Sequence, residues 1–525
     1  MKRKEFMKNA VIMTVTALLL RGIGIVFRIF LSNRIGAEGM GLYQLIFSVY
    51  VLGSTFASTG ISTAVARLIT DELVCGTARS VKRILRRSVM LSVIIGLISA
   101  VILFLAATPI SEWFLKDIRA IPSLKILGIS LPFMGVTSCI RGYFMARRKS
   151  ACTSIAQITE QISRMVFITL LLNLLAGRGL AYTCLAVILG DSLAEMVSCL
   201  YMTGGYLLDQ RHIRHITPTT ACNTPRRGVL YRITEIALPI TAGRYLNSAL
   251  RTVENILVPN KLTAFNGSTE QSLSEFGMLK GMAMPLLFFP SSFLSSLSTL
   301  LIPELSEAHT LHQQQKVKRA VVRVLQLTLL ISMLLSGLFT VFAYDLGETL
   351  YHSETVGFLL RVLAPLMPVM YLESIVDGML KGLGQQVSSL IYSVLDSASR
   401  IALILFILPA KGLAGFLFIM VLSNLLTSLL NLHRLLKVTG VQMQWGDWVI
   451  KPVVAVSLAC AITELLQRVT AFGDLTALPR MVIGSLVITA LYAGLSLLLG
   501  TLNISDLQSL RLRDNPGELS ISEHF

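Results

Sequence analysis

Charge is what this sequence has least of. Only 14% of its 525 residues are Asp, Glu, Lys or Arg, against 54% hydrophobic, a balance that leaves no polar coat for a water-soluble protein of this size. Acid is scarcer than base, 29 residues against 46. The seven cysteines contain no CxxC pair, and His212 and His215 stand in a basic stretch without acids or thiols at ligand spacing. Neither a disulfide framework nor a metal site is therefore expected. No GxxxxGK[ST] motif occurs, which argues against direct ATP drive by this chain, and no Ser-His-Asp or Cys-His constellation stands out. No cofactor is called for, and the chain does not read as an enzyme.

What is present is a succession of apolar runs, each of the roughly 20 residues that a hydrocarbon core of about 30 Å requires. Fourteen are expected, centred near Ala17, Leu52, Ile95, Met134, Phe167, Ala194, Ala249, Leu287, Leu330, Pro368, Leu403, Val421, Leu458 and Ile488. The fold class is thus an all-α polytopic membrane protein with 14 transmembrane helices. The charged start Lys2-Arg3-Lys4 resembles that of a signal peptide, but no small-residue cleavage site follows, so the first run is kept as span one. A net charge of +17 could suggest nucleic acid. The basic residues instead crowd into alternate loops, about 27 on one face against about nine on the other, as the positive-inside rule requires. Both termini are then cytoplasmic, in a bacterial cytoplasmic membrane, and nucleic acid is not a partner.

The chain also matches itself. At an offset of 236 residues Pro132 falls on Pro368, Gly142 on Gly378, Glu160 on Asp396, Arg164 on Arg400 and Ser62-Thr63 on Ser298-Thr299; at 233, Gly179 falls on Gly412 and Asp191 on Asn424. At 223, Arg21 and Arg28 fall on Arg244 and Arg251. Six spans separate each matched pair, and an even number returns the chain to the same side, so the halves are expected to be parallel repeats about an axis along the membrane normal. The expected organisation is an N-lobe over residues 1–215, a cytoplasmic connecting loop at 216–227, a C-lobe over 228–440, two additional C-terminal helices at 441–505 packed outside the lobes, and a tail at 506–525.

Arginine inside a span costs several kcal/mol unless it meets a partner or a wet cavity. Arg21 and Arg28 lie seven residues apart, on one helix face, with Gly24 leaving that face open and Gly22 thinning the helix nearby. In span seven Arg244, Asn247, Ser248, Arg251, Glu254 and Asn255 form one polar stripe, which must face protein or water. Two readings stand. The arginines are structural, held by a carboxylate such as Glu254 at i+3 from Arg251, or they line a cavity for an anion. Glu160 with Arg164 and Asp396 with Arg400 read as self-neutralising i,i+4 pairs, either structural or ion-coupling. Asp191, Glu195, Glu373 and Asp377 are further candidates to bind a coupling sodium ion or proton, the last two sharing a helix face near the end of span ten. Pro132, Pro239, Pro285, Pro290, Pro365 and Pro368 are expected to bend their spans.

Three stretches carry a resemblance: Arg21–Arg28 (RGIGIVFR), Arg34–Gln44 (RIGAEGMGLYQ) and Gly60–Arg67 (GISTAVAR). The chain resembles the stage V sporulation protein B branch of the multidrug/oligosaccharidyl-lipid/polysaccharide flippase superfamily, a branch similar to the lipid II flippase MurJ. That resemblance implies alternating-access transport of an isoprenoid-pyrophosphate-linked sugar in cell-wall or polysaccharide synthesis, with cations of span one lining a central cavity. Relatives of the MurJ type carry a further basic residue early in span two, where this chain has Tyr43 and Gln44. On this reading Arg21, Arg28, Arg244, Arg251, Asn247 and Glu254 bind the lipid-linked sugar. The alternatives are a cation-coupled multidrug exporter, for which Glu254 is the one candidate acid, and a membrane scaffold for cell-wall synthases.

Overall fold

In a computed structural model, residues 2–58, 60–75, 78–175, 177–213, 228–295, 305–306, 310–311, 313–469 and 476–501 are described. The expected connecting loop at 216–227, the tail at 506–525 and the Ser298-Thr299 match lie outside them. Every regular element among the described residues is helical. The principal helices are α1 (Lys2–Ser58), α2 (Ile61–Cys75), α3 (Ala78–Pro109), α4 (Ile121–Ala146), α5 (Ser150–Leu174), α6 (Leu180–Ile213), α7 (Val229–Asn266), α8 (Thr269–Phe276), α9 (Met284–Phe288), α10 (Gln314–Val341), α11 (Ala343–Tyr351), α12 (Glu354–Leu363), α13 (Met367–Gly382), α14 (Gln386–Thr439), α15 (Lys451–Val469) and α16 (Ala477–Leu498).

Among the described residues, ten helical stretches are long and apolar enough to cross a membrane. Two of them are broken into pairs, at Gly36 (φ 74°) and at Gly412 (φ 55°), which makes twelve segments. Positive-φ backbone with ψ of 177° or −142° is essentially reserved to glycine and costs an L-residue about 1–3 kcal/mol, so the chain turns at each point without a loop. The helix α7 and the α8–α9 rod, which carry more polar residues and are not among the ten, bring the helical segments of this kind among the described residues to fourteen. Both breaks inside the merged helices are thus made by glycine. Of the prolines expected to bend helices, Pro132 and Pro239 lie inside α4 and α7, while Pro285, Pro365 and Pro368 stand where a continuous helical stretch changes type, from π to α before Pro285 and through a 3-10 turn at Ala364–Leu366.

The duplication is written into the backbone as well. Lys116 (φ 55°) and His352 (φ 51°) are left-handed 236 residues apart, and so are Arg148 (φ 56°) and Gly384 (φ 74°). Gly179 (φ 95°) and Gly412 (φ 55°) repeat at 233, the offset of the sequence match. Asp117 and Ser353, again 236 apart, each cap the helix that follows through a side-chain oxygen.

Two compact units are distinguished, Met1–Ser296 with Gln386–Thr427, and Leu297–Gln385 with Ser428–Phe525. In the first, α1 after its break meets α8 and its continuation backbone to backbone: a Cβ at Gly41 would lie 2.0 Å from the Leu273 carbonyl oxygen, and one at Gly277 2.0 Å from that of Ala37. Only glycine permits that approach, the small-residue packing typical of helices in lipid. A core of Ile61, Val65, Ile69, Ile84, Tyr143 and Phe144 joins α2, α3 and α4, with Ile233 and Ala237 of α7 against it. Beside it Arg232 of α7 and Glu72 of α2 form a buried ion pair of 3.1 Å. Asp209 near the end of α6 gathers Tyr143 (2.6 Å), Arg147 (3.2 Å) and Lys149 (2.5 Å).

In the second unit α15 and α16 pack on each other and on α10 through Phe342, Ala455, Ala459, Ile488 and Tyr492, whose hydroxyl donates to the Leu330 carbonyl at 3.1 Å. The outward face of α3 (Leu97, Ile98, Val101, Ile102, Leu105) is exposed apolar surface suited to acyl chains. The five cysteines at 139, 152, 184, 199 and 460 are free, and no His/Cys/Asp/Glu group among the described residues could hold a metal.

Candidate functional site

The polar stripe of α7 is placed by its neighbours. Thr252 donates to the Ser48 carbonyl (3.0 Å), Asn255 to the Ser48 hydroxyl (2.9 Å), and Thr55 to the Ser248 hydroxyl (3.4 Å), which ties one edge of the stripe to α1. Ser393 of α14 donates to Asn247 at 3.1 Å on the other edge. A stripe of this polarity inside an apolar rod finds partners because backbone and side-chain dipoles left bare in hydrocarbon cost several kcal/mol each.

Glu254 does not pair with Arg251. Its carboxylate, buried to 4% exposure, instead meets Lys280 at 3.5 Å and Arg400 at 3.3 Å. The sequence expectation fails here because an i+3 partner competes with two cations that α14 and the continuation of α8 deliver to the same carboxylate. Arg400 is held firmly from the other side, by Asp396 (2.9 Å) and by the Ser423 hydroxyl (2.8 Å), while Ser423 also donates to Asp396. Arg251, exposed beside this group, is an electrostatic neighbour of Lys280.

Lys280 is the residue that sequence reading missed. It lies in a π-helical turn, Gly277–Ala283, between α8 and α9, with the Phe416 ring centroid 5.9 Å from its ammonium. The available signal was a lone lysine in an apolar run, and the 236-residue offset places it on Gln44, the position where the resemblance expects base.

The matching group in the first half is built from α5, α6 and α1. Arg164 meets Glu160 at 2.8 Å and Asp191 at 2.6 Å, Ser198 donates to Glu160 (3.2 Å), and Tyr43 donates to Asp191 (3.5 Å). Both expected i,i+4 pairs are thus formed, but neither is self-contained: each arginine also holds a carboxylate on another helix. Glu195 is buried beside this group, in electrostatic reach of Glu160, Arg141 and Arg164. Of the pair expected at the end of span ten, Asp377 is held by Lys381 at 2.5 Å, so two bare like charges are not what this helix presents.

The four span arginines differ from all of these. Arg21, Arg244 and Arg251 are exposed and Arg28 half-buried, and none forms an ion pair with a described residue. Arg21 donates to the Ser295 hydroxyl at 3.1 Å; Arg28 lies in electrostatic reach of Tyr43. The face between them is open, since a Cβ at Gly22 or Gly24 would meet nothing within 4 Å, and one at Gly243 would meet only Leu390 at 3.9 Å.

A family profile described as polysaccharide biosynthesis protein matches residues 6–309. The chain is similar to stage V sporulation protein B of Bacillus subtilis (strain 168), 24% identical over 479 residues, 90% of this chain and 91% of the relative. It is also similar to the lipid II flippase MurJ of the same organism, 21% identical over 425 residues and 76% of each chain. Among solved structures, the inward closed conformation of lipid II flippase MurJ superposes with a TM-score of 0.67 at 14% identity, covering 93% of this chain and 98% of that one.

Proposed function

We propose, from the premise that the chain belongs to the polysaccharide biosynthesis protein family, that it flips an isoprenoid-pyrophosphate-linked sugar across the cytoplasmic membrane by alternating access. Arg21, Arg28, Arg244 and Arg251 receive the pyrophosphate, with Asn247 bonding the headgroup beside them. One observation carries this reading. Glu160, Asp191, Glu254 and Asp396 all stand in ion pairs and Glu195 has Arg141 and Arg164 as electrostatic neighbours, whereas the four span arginines stand in no ion pair with a described residue, so the balance left for a ligand is positive and favours an anion. A guanidinium offers two parallel donors to phosphate oxygens, and its attraction strengthens in a medium of low dielectric. A cation exporter would need an uncommitted acid in span one or seven; Glu254 already holds two cations. With both termini cytoplasmic, the basic loops face the compartment in which such precursors are made.

The test is complementation of a flippase-depleted strain. Arg21→Ala and Arg28→Ala each abolish rescue at normal membrane abundance, and Arg→Lys at either site loses most of it, because an ammonium cannot make the bidentate contact. Full rescue by both alanine variants would refute the proposal; rescue by both lysine variants would favour arginines that merely hold the scaffold together.

A further inference from the structure

The two cations on Glu254 are not equivalent. Arg400 has a second carboxylate at 2.9 Å and a hydroxyl at 2.8 Å, so it stays in place whatever Glu254 does. Among the described residues Lys280 has the 3.5 Å contact to Glu254 and the Phe416 ring at 5.9 Å. Its three donors leave capacity for more. Its backbone is a π-helical turn, a wide and uncommon geometry that recurs at functional sites, pinned on either side where Gly277 and Gly281 press on Ala37 and Met40. The turn is thus fixed while the side chain it carries is loosely paired, and Arg251, without an ion-pair partner among the described residues, is its electrostatic neighbour.

Resting on the flippase reading, we infer that Glu254 is a tethered stand-in for the substrate's phosphate: it occupies Lys280 in the empty protein and yields it to an incoming pyrophosphate held by Arg251. The exchange replaces one charge-assisted contact with another. Lys280 is therefore never left as a bare ammonium in hydrocarbon, the state that would cost most. Glu254 also sets specificity, because a ligand must offer an anion strong enough to displace a carboxylate. A neutral isoprenoid alcohol cannot do so.

Full-length protein in nanodiscs, titrated with undecaprenyl pyrophosphate and with undecaprenol as the uncharged control, tests this. Wild type prefers the pyrophosphate. Glu254→Gln removes the competitor and tightens pyrophosphate binding about tenfold, the scale of one charged contact; Lys280→Met weakens it by a similar factor. In the double variant the gain from Glu254→Gln disappears. Glu254→Asp keeps the charge but shortens its reach, giving a smaller gain in the same direction should the glutamine variant not fold. No gain in either variant, or a full gain that persists without Lys280, overturns the exchange while leaving the flippase reading intact. Equal binding of pyrophosphate and alcohol by wild type sinks both.

Discussion

Arg400 shows how a membrane arginine is made affordable, and what happens when it is not. Asp396 one turn before it, Ser423 across the Gly412 break and Glu254 on α7 together match its donors. Removing one member of such a group leaves an uncompensated charge, a loss of about 3–5 kcal/mol where the pair is buried. Asp396→Asn alone should therefore lower the unfolding temperature in detergent sharply, and Asp396→Asn with Arg400→Gln should recover much of it. Equal melting of the single and double variants would show that the pair carries no coupling. The four span arginines have no such arrangement, so Arg251→Gln is expected to change thermal stability little while weakening pyrophosphate binding; a binding constant unchanged from wild type would remove it from the site.

Helices α1 and α8 illustrate how far local sequence determines an element. Two glycines that look alike in the sequence do different work. Gly36→Ala adds a methyl group into open space but at φ 74° and ψ 177°, a penalty of about 1–3 kcal/mol. Gly277→Ala pushes a methyl carbon to 2.0 Å from the Ala37 carbonyl oxygen, which α1 and α8 can relieve only by separating. We expect the first to lower the unfolding temperature in detergent modestly and retain rescue of the depleted strain, and the second to lose rescue; the opposite order would show that the crossing is loose. The spans, the duplication and the two i,i+4 pairs were legible because they depend on hydropathy, register and spacing along one helix. The partners of Glu254 were not, because Lys280 and Arg400 reach it from distant helices, and residues 26 and 146 positions away leave no local periodicity. The π turn that presents Lys280 has no sequence signature beyond Gly277 and Gly281.

For the whole molecule, the pair of Glu72 and Arg232 joins segments 160 residues apart in sequence. Its burial means that Glu72→Arg should be severely destabilising and Glu72→Arg with Arg232→Glu should restore a stable protein, measured as the monodisperse fraction after solubilisation. A double variant no better than the single would show that position rather than charge pairing matters there. Reporter fusions at each end should both report from the cytoplasm; one external reporter would overturn the orientation derived from the basic loops.

The left-handed residues shared by the two halves have a consequence of their own. At Arg148 and Gly384 the same turn is built once from a residue that resists it and once from one that does not; at Lys116 and His352 neither copy uses glycine. Two inherited copies of one chain thus serve as controls for each other. The helices entering and leaving each corner impose its shape, so the corner forms whether or not glycine occupies it.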